Sequence, residues 1–358
     1  MNYSRLFFSS ILLSLMLLSP GCAPTEFKFV VSAAFGEYNV ITQSVPMQEA
    51  LDNPDLSSDT HQKLLWAQQV RDYAESQIGL KVGKSYRYYY DTSGKPAVYN
   101  LSASQKFTFD PYTWSFPIFG TFEYLGYFSQ KLANEYMQQL KDENYDVVIY
   151  GAIAYSTSGV FSDPLYSSMI DLDYPLLTET IIHELTHSTV YKISDSEFNE
   201  SVAQFVGQTG SLEFIKGVSG EESDLYKQAV SEAQDRALVN QFLAQVYDDL
   251  VGFYGRTDLT DDEKIQQREQ IFQSERDRFK KDFLPALHDP DRFGGWGAVP
   301  TNNAWILLNH RYNRDTELFE KVLQAGNQDL PSAIEVFKQA EAADDSFQFL
   351  SDWLNAKQ

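Results

Sequence analysis

The segment His183-Glu184-Leu185-Thr186-His187 constrains this chain more than any other feature of its sequence. Residues four positions apart lie one turn apart on the same face of a helix, so both imidazoles face one point. Residues 180–191 contain no proline or glycine, and Glu184 is their only charged side chain at neutral pH. A helix exposed to solvent normally carries more charge. The pattern therefore predicts a buried helix that presents two histidines together.

The H-E-x-x-H pattern predicts that His183 and His187 bind one Zn²⁺ ion. Glu184 lies one position after the first histidine, beside the predicted ion, and is predicted to act as a general base on a water molecule. The alternative interpretation is a pair of core or surface histidines without a metal. The uncharged surroundings of the pair favour the metal site.

A catalytic zinc site needs a third protein ligand and one open position. Glu200 follows His187 by 13 positions, on a predicted helix over 194–210 that begins with Ser194 as the cap and Glu197 in a capping box. Spacing alone does not distinguish Glu200 as a ligand from Glu200 as a solvated helix residue. Two other carboxylates are worse placed, since Glu179 precedes His183 on the same helix and Glu197 is used by the cap.

Several segments besides the histidine motif resemble one known family. They are residues 114–117, 126–128, 155–157, 159, 161, 163–164, 198–203 and 300–304. Together they resemble a family of bacterial lipoproteins described as predicted zinc aminopeptidases, in which H-E-x-x-H is completed by a glutamate (the gluzincin type). The resemblance implies that Glu200 is the third zinc ligand. It also favours Tyr312 over His310 and Tyr155 as the group that stabilises the oxyanion, although a packing role for this tyrosine stays open.

The predicted reaction is hydrolysis of peptide bonds by a metal-activated water molecule. The resemblance implies an aminopeptidase, while an endopeptidase of short peptides is the nearest alternative. A second alternative is an envelope lipoprotein that binds peptides on a metallopeptidase fold without cleaving them. The formal net charge of −22 argues against a nucleic-acid partner, because phosphates would be repelled over most of the surface.

Residues 1–21 are predicted to be a lipoprotein-type signal peptide. Arg5 is their only charge, and an apolar run from Leu6 to Leu18 leads to Cys22, the only cysteine of the chain. The match to a lipoprotein cleavage site is imperfect, because Pro20 stands where a small residue is usual, and an ordinary signal anchor is the alternative. Cys22 is thus the predicted lipidation site of a protein anchored in the bacterial envelope, in the periplasm or outer membrane, and facing away from the cytoplasm.

Residues 22–358 are predicted to form a single α+β domain, mainly helical, with a small β-sheet. A hairpin is predicted for 86–90 and 97–101, because 91–96 has the composition of a turn. A long helical hairpin is predicted within 215–285, where Thr260 and Glu263 make a capping box for the second helix. No internal repeat or low-complexity linker divides the chain.

Overall fold

The computed structural model describes residues 24–116, 120–157, 162–294, 302–313 and 315–357. The predicted signal peptide (1–21) and the predicted lipidation site Cys22 lie outside these ranges. Over the described ranges the fold is α+β and mainly helical, which confirms the predicted class. No helix in these ranges is both long and apolar enough to cross a membrane.

Fourteen α-helices are found in the described part of the chain. In chain order they are α1 Pro24–Gln43, α2 Met47–Leu51, α3 Ser58–Tyr73, α4 Gln130–Asp142, α5 Ser167–Ile170, α6 Tyr174–Thr186, α7 Ser196–Ser219, α8 Asp224–Tyr254, α9 Asp261–Arg278, α10 Pro290–Gly294, α11 Asn303–Asn313, α12 Thr316–Ala325, α13 Leu330–Glu341 and α14 Ser346–Asn355. Short π-helical turns extend α3 and α9.

The strands in the described ranges form three small sheets. In chain order they are β1 Val45–Pro46, β2 Tyr88–Tyr90, β3 Val98–Ser104, β4 Trp114–Phe116, β5 Gly120–Phe122, β6 Tyr124–Tyr127, β7 Asp146–Ala152 and β8 Leu165–Tyr166. The sheet orders are β1-β2-β8, β6-β3-β7 and β4-β5.

The predicted hairpin between 86–90 and 97–101 is wrong. Strand β2 pairs with β1 and β8, whereas β3 pairs antiparallel with β6 and β7. The turn itself forms, since Asp91 Oδ1 accepts the Ser93 amide, but the Thr92 amide donates to Ser167 Oγ and ties the turn to α5. Strand β3 is buried on both faces, so its long-range partners outweigh the local turn.

The predicted helical hairpin is present as α8 and α9, although α7 occupies its first residues as far as Ser219. The predicted capping box is also present, since Thr260 and Glu263 each accept a bond from the other's backbone. Side chains from both helices share an apolar cluster with Ile306 of α11, which attaches this arm to the rest of the fold.

Helix α6 lies within the largest apolar cluster of the described chain. Its core-facing side chains Leu177, Ile181, Ile182 and Leu185 are fully buried. Trp66 of α3 donates from Nε1 to Thr178 Oγ1 at 2.8 Å, which fixes one side of the helix. The histidine motif therefore occupies a rigid element inside the core.

Candidate metal centre

Local sequence determines where the motif helix α6 begins and ends. The Asp173 carboxylate accepts the Leu176 amide at 2.9 Å and caps the N-terminus, and Pro175 occupies the first turn. The helix ends at Thr186, and His187 is the C-cap residue with helical angles of φ −59° and ψ −24°. His187 therefore keeps the one-turn spacing from His183 that the motif predicts.

Helix α7 begins with Asp195 as its N-cap, not with Ser194 as predicted. The Asp195 carboxylate accepts the Phe198 amide, whereas Ser194 has a left-handed backbone with φ 66° and its hydroxyl accepts the Thr121 amide. Serine and aspartate are both strong N-caps, and a cap one residue from another candidate is easily misplaced from sequence.

The residues on either side of Glu200 fix its position. Asn199 accepts the Lys192 amide at 2.7 Å and donates to the Lys192 carbonyl at 2.8 Å, so it holds the loop that turns α7 back toward α6. Ser201 donates to the Arg311 carbonyl at 3.1 Å and thereby ties α7 to α11. Glu200 lies between these two anchored residues of α7, one fixed to the Lys192 loop and the other to α11.

Helix α7 packs closely on α6 because it has glycines at the contact. A Cβ atom at Gly207 would lie 3.0 Å from the Glu179 carbonyl oxygen and 3.2 Å from His183 Cβ. A Cβ atom at Gly210 would lie 3.2 Å from Ile182 Cδ1 of α6. Because glycine has no side chain, the backbone of α7 can lie close to the motif helix. The sequence analysis did not predict this close contact.

His183, His187 and Glu200 converge on one buried point. Their ligand atoms all lie within 4.8 Å of one another, and the three side chains could hold a metal ion. Glu200 Oε2 lies 3.2 Å from His183 Nε2 and 3.7 Å from His187 Nε2. The two imidazole rings are nearly perpendicular, with centroids 5.0 Å apart. Two nitrogens and one carboxylate oxygen match the donor set of catalytic zinc sites.

The electrostatics of this cluster prepare it for a cation. Burial lowers the pKa of His187 to about 4. Burial opposes ionisation of Glu200, but the two neighbouring histidines outweigh it and lower its pKa to about 2. Burial also disfavours the charged form of His183, yet its contact with Glu200 and the charge of Glu184 raise its pKa. A neutral imidazole and an ionised carboxylate are the forms that bind metals, and these forms are favoured at His187 and Glu200. At His183 the neighbouring carboxylates favour the protonated ring, so a metal would have to displace that proton.

Two observations test whether a metal fits. Glu200 Oε2 is buried and has no hydrogen-bond partner of good geometry, although it faces both imidazoles. The other oxygen, Oε1, accepts the Tyr124 hydroxyl at 2.8 Å, which directs Oε2 toward the histidines. A buried carboxylate oxygen without a partner is costly, so the residues present fit a bound cation.

Glu184 lies beside this cluster and does not belong to it. Burial raises the pKa of Glu184 to about 7. His183 lowers this pKa, whereas the charges of Glu200 and Asp163 raise it further. A carboxyl group with a pKa near neutrality is suited to accept and return a proton. The position predicted for the general base therefore has the required chemistry.

Tyr312 reaches the centre from α11. Its ring lies nearly parallel to the His183 ring, with centroids 6.1 Å apart, and its hydroxyl is hydrogen-bonded to Tyr150. Burial and the charge of Glu200 raise the pKa of Tyr312 well above its usual value, which keeps the hydroxyl protonated as a donor. Asn100 Nδ2 donates to Tyr150 at 3.0 Å and extends the chain of bonds.

The two other candidates for this role lie elsewhere. His310 stacks on Tyr247 at a centroid distance of 3.9 Å and lies 3.4 Å from Glu197. Tyr155 packs against Phe128, on the side of the site where the α1 carboxyl group Glu37 lies. Of the three candidates, Tyr312 has the contact with the histidine pair.

The competing carboxylates are bound to other partners. Glu179 Oε1 accepts from Gln204 at 2.7 Å and from Arg236 at 2.8 Å. Glu197 lies against His310. Neither carboxylate belongs to the metal-ligand group found among the described residues. The reason given for Glu197 is wrong, however, because Asp195 caps α7 and Glu197 does not form the predicted capping box.

Sequence reasoning missed Tyr124, Tyr150 and Asp163, which surround the predicted residues. Tyr124 meets Glu200 across 76 positions of chain, and nothing in the local sequence around it indicates that contact. Asp163 and Ser156 lie in segments that carry the family resemblance, which was the available signal for that side of the site.

A family model described as "Putative aminopeptidase" matches residues 28–348, which include every residue of the centre. No curated protein and no solved structure matches the chain.

Proposed function

The chain belongs to the family described as "Putative aminopeptidase", and on that premise we propose that it is a zinc-dependent aminopeptidase. The gluzincin type and the bacterial origin implied by the resemblance are part of this proposal. One observation carries it: two imidazoles and a carboxylate converge on a buried point beside a carboxyl group whose pKa is near 7.

His183, His187 and Glu200 would hold one zinc ion. A bound zinc ion polarises the scissile carbonyl and lowers the pKa of a nearby water molecule to roughly 7. Zinc rather than calcium or magnesium is supported by the two nitrogen donors, since those metals prefer oxygen ligands. Tyr124 holds the Glu200 carboxylate in the orientation in which Oε2 faces the histidines.

Glu184 takes a proton from the attacking water molecule and returns it to the leaving amine. Its carboxyl group is buried with a pKa raised to about 7, so both protonation states are accessible near neutral pH. Tyr312 would donate a hydrogen bond to the oxyanion that develops as the carbonyl is attacked, a role supported by the contact of its ring with His183. In the absence of substrate this hydroxyl donates to Tyr150, and it would turn from Tyr150 to the oxyanion during the reaction.

The test is metal analysis of the purified protein combined with digestion of a diverse peptide library, read by mass spectrometry. We expect one zinc ion per chain and removal of residues from free N-termini. Glu184→Gln should retain zinc and lose hydrolysis by roughly 100-fold or more. A control is Glu232→Gln, a glutamate on α8 that pairs with Arg292 outside the metal-ligand group and should keep both.

Stoichiometric zinc without cleavage of any peptide would refute the enzyme and favour a peptide-binding protein. Cleavage at internal bonds only would refute the aminopeptidase and leave an endopeptidase.

We also propose that Cys22 carries a lipid anchor in the bacterial envelope, with the domain facing away from the cytoplasm. The apolar run that precedes this sole cysteine supports the proposal. Cys22→Ser should move the protein from the membrane fraction to the soluble fraction, and mass spectrometry of the N-terminal peptide should show the lipid only in the parent. An unmodified cysteine in the membrane fraction would indicate a signal anchor instead.

A further inference from the structure

A second group of acidic and aromatic residues lies next to Glu184, outside the metal centre. We call it the acidic pocket and define it by Glu37, Tyr86, Tyr155, Asp163 and Tyr166. Glu37 of α1 and Asp163 are only 8% and 6% exposed. Burial and the charges of both carboxyl groups raise the pKa values of Tyr155 and Tyr166, so both rings lie within electrostatic range of both acids.

Glu37 lacks a partner in this pocket. Its Oε2 atom is buried and has no hydrogen-bond partner among the residues that the structure describes. Burial first and then the charge of Asp163 raise its pKa to about 7. A buried carboxylate without a partner or counter-charge is costly. The described residues therefore leave one acceptor of this pocket without a donor.

Asp163, in contrast, is firmly held. Its Oδ1 atom accepts the Thr157 hydroxyl at 2.8 Å, and its Oδ2 atom accepts the Ser156 hydroxyl at 3.1 Å. Its own amide donates to Ser85 Oγ at 3.2 Å. These neutral donors orient the carboxylate but supply no positive charge. Burial outweighs them and raises the pKa of Asp163 to about 6.

Helix α1 is positioned so that Glu37 enters the pocket. Gly36 touches the Phe128 side chain so closely that a Cβ atom would overlap it. Phe128 in turn packs edge-on against Tyr155, with centroids 5.5 Å apart. The preceding glycine thus allows α1 to approach and deliver the carboxyl group of Glu37.

The pocket adjoins the predicted general base. The charge of Asp163 raises the pKa of Glu184 as well as that of Glu37. The Tyr86 amide donates to the Asp163 carbonyl at 2.8 Å, and burial together with the charges of Glu184 and Asp163 raises the pKa of its hydroxyl. A group bound by Glu37 and Asp163 would therefore lie within electrostatic range of Glu184.

No lysine, arginine or histidine in the described part of the chain lowers the pKa of Glu37 or Asp163 by its charge. A metal ion would lack a third protein ligand there, because no further histidine, cysteine or acid among the described residues completes a three-ligand group with Glu37 and Asp163. A primary ammonium group provides one positive charge and three donors, and aromatic walls favour it further.

We propose that Glu37 and Asp163 bind the protonated amino terminus of the peptide substrate. The proposal rests on the peptidase function proposed above and specifies its substrate class: peptides with a free amino terminus, cleaved at the bond nearest that end. Glu37 supplies the unpaired acceptor, and Asp163 supplies a carboxylate already held in place by Ser156 and Thr157.

Binding is tested directly, so that the result does not depend on cleavage. Immobilised zinc-loaded Glu184→Gln protein is incubated with a randomised tetrapeptide pool mixed with an equal amount of its N-acetylated copy. Mass spectrometry then measures the bound fractions. We expect free peptides to be enriched roughly 10- to 100-fold, the range typical of a charged hydrogen bond.

Adding Glu37→Gln to this background should abolish the enrichment, whereas adding Glu232→Gln should preserve it. Zinc content and thermal melting of all three proteins establish that the centre and the fold remain intact. Equal retention of the two pools, or enrichment that survives Glu37→Gln, would overturn the proposal.

The outcome is separable from that of the peptidase proposal. Wild-type protein that selects free peptides but cleaves none refutes the peptidase and retains the acidic pocket as a binding site. Wild-type protein that cleaves free and acetylated peptides equally retains the peptidase and refutes the pocket.

Discussion

The Tyr124 hydroxyl donates a 2.8 Å hydrogen bond to Glu200 Oε1 and so leaves Oε2 facing His183 and His187. The bond joins strand β6 to helix α7 and orients the carboxylate before any metal binds. Outer partners of this kind commonly set metal affinity by orienting a ligand. Tyr124 is therefore a positioning residue of the proposed zinc site.

Tyr124→Phe should weaken zinc binding by roughly 10- to 100-fold, because Glu200 loses the bond that orients it. Affinity is measured by competition with a chromophoric chelator. The matched control is Tyr127→Phe on the same strand, since the Tyr127 hydroxyl is buried without a hydrogen-bond partner in the described structure. Equal affinities in wild type and Tyr124→Phe would show that the bond has no part in metal binding.

The sequence was most informative where the relevant interactions are local. The spacing of His183 and His187 on α6 depends only on the helical repeat, and it was predicted correctly. The arm capped by Thr260 was likewise predicted from a four-residue pattern. Local geometry of this kind is encoded within one or two turns of chain.

The role of Glu200 could not be predicted from local sequence alone. Its spacing left the ligand and the solvated residue equally possible, and the contacts that place it involve Lys192, Arg311 and Tyr124. The acidic pocket was even less predictable from local sequence, because Glu37 and Asp163 lie on segments that only the tertiary fold brings together. The wrong hairpin at β2 has the same cause, because long-range strand pairing outweighed a favourable turn.

Chelation should destabilise the protein if the centre holds zinc. A ligand that binds only the folded state stabilises it by about 4 kcal/mol at 1,000 times its Kd. We expect the Tm to fall on chelation and to recover on addition of zinc. Glu200→Gln should lose this response, whereas Glu179→Gln, a buried acid on α6 bound to Arg236, should keep it. If the Tm of wild type does not change on addition of the chelator, metal binding is contradicted.

Tyr312→Phe tests the oxyanion donor. Loss of one such donor typically lowers kcat by roughly 100- to 1,000-fold. KM should change little, because the bond forms only as the carbonyl is attacked. Tyr150→Phe removes the partner that orients Tyr312 and should lower kcat by a smaller factor. A rise in KM without a fall in kcat would assign Tyr312 to substrate binding instead.

Glu37 predicts a dependence of stability on pH. Its pKa rises from 4.5 in the unfolded chain to about 7 in the fold, because burial and Asp163 disfavour its charge. The folded state therefore binds the proton more tightly, and this stabilisation is complete below about pH 4.5 and lost as pH rises through 7. The shift corresponds to at most about 3 kcal/mol. Denaturant unfolding of peptide-free protein measures this effect. From pH 4.5 to 8, the free energy of unfolding of Glu37→Gln should rise relative to that of wild type by up to that amount. A difference that stays constant over this range would mean that Glu37 is solvated or paired, and that the acidic pocket has no unmet charge.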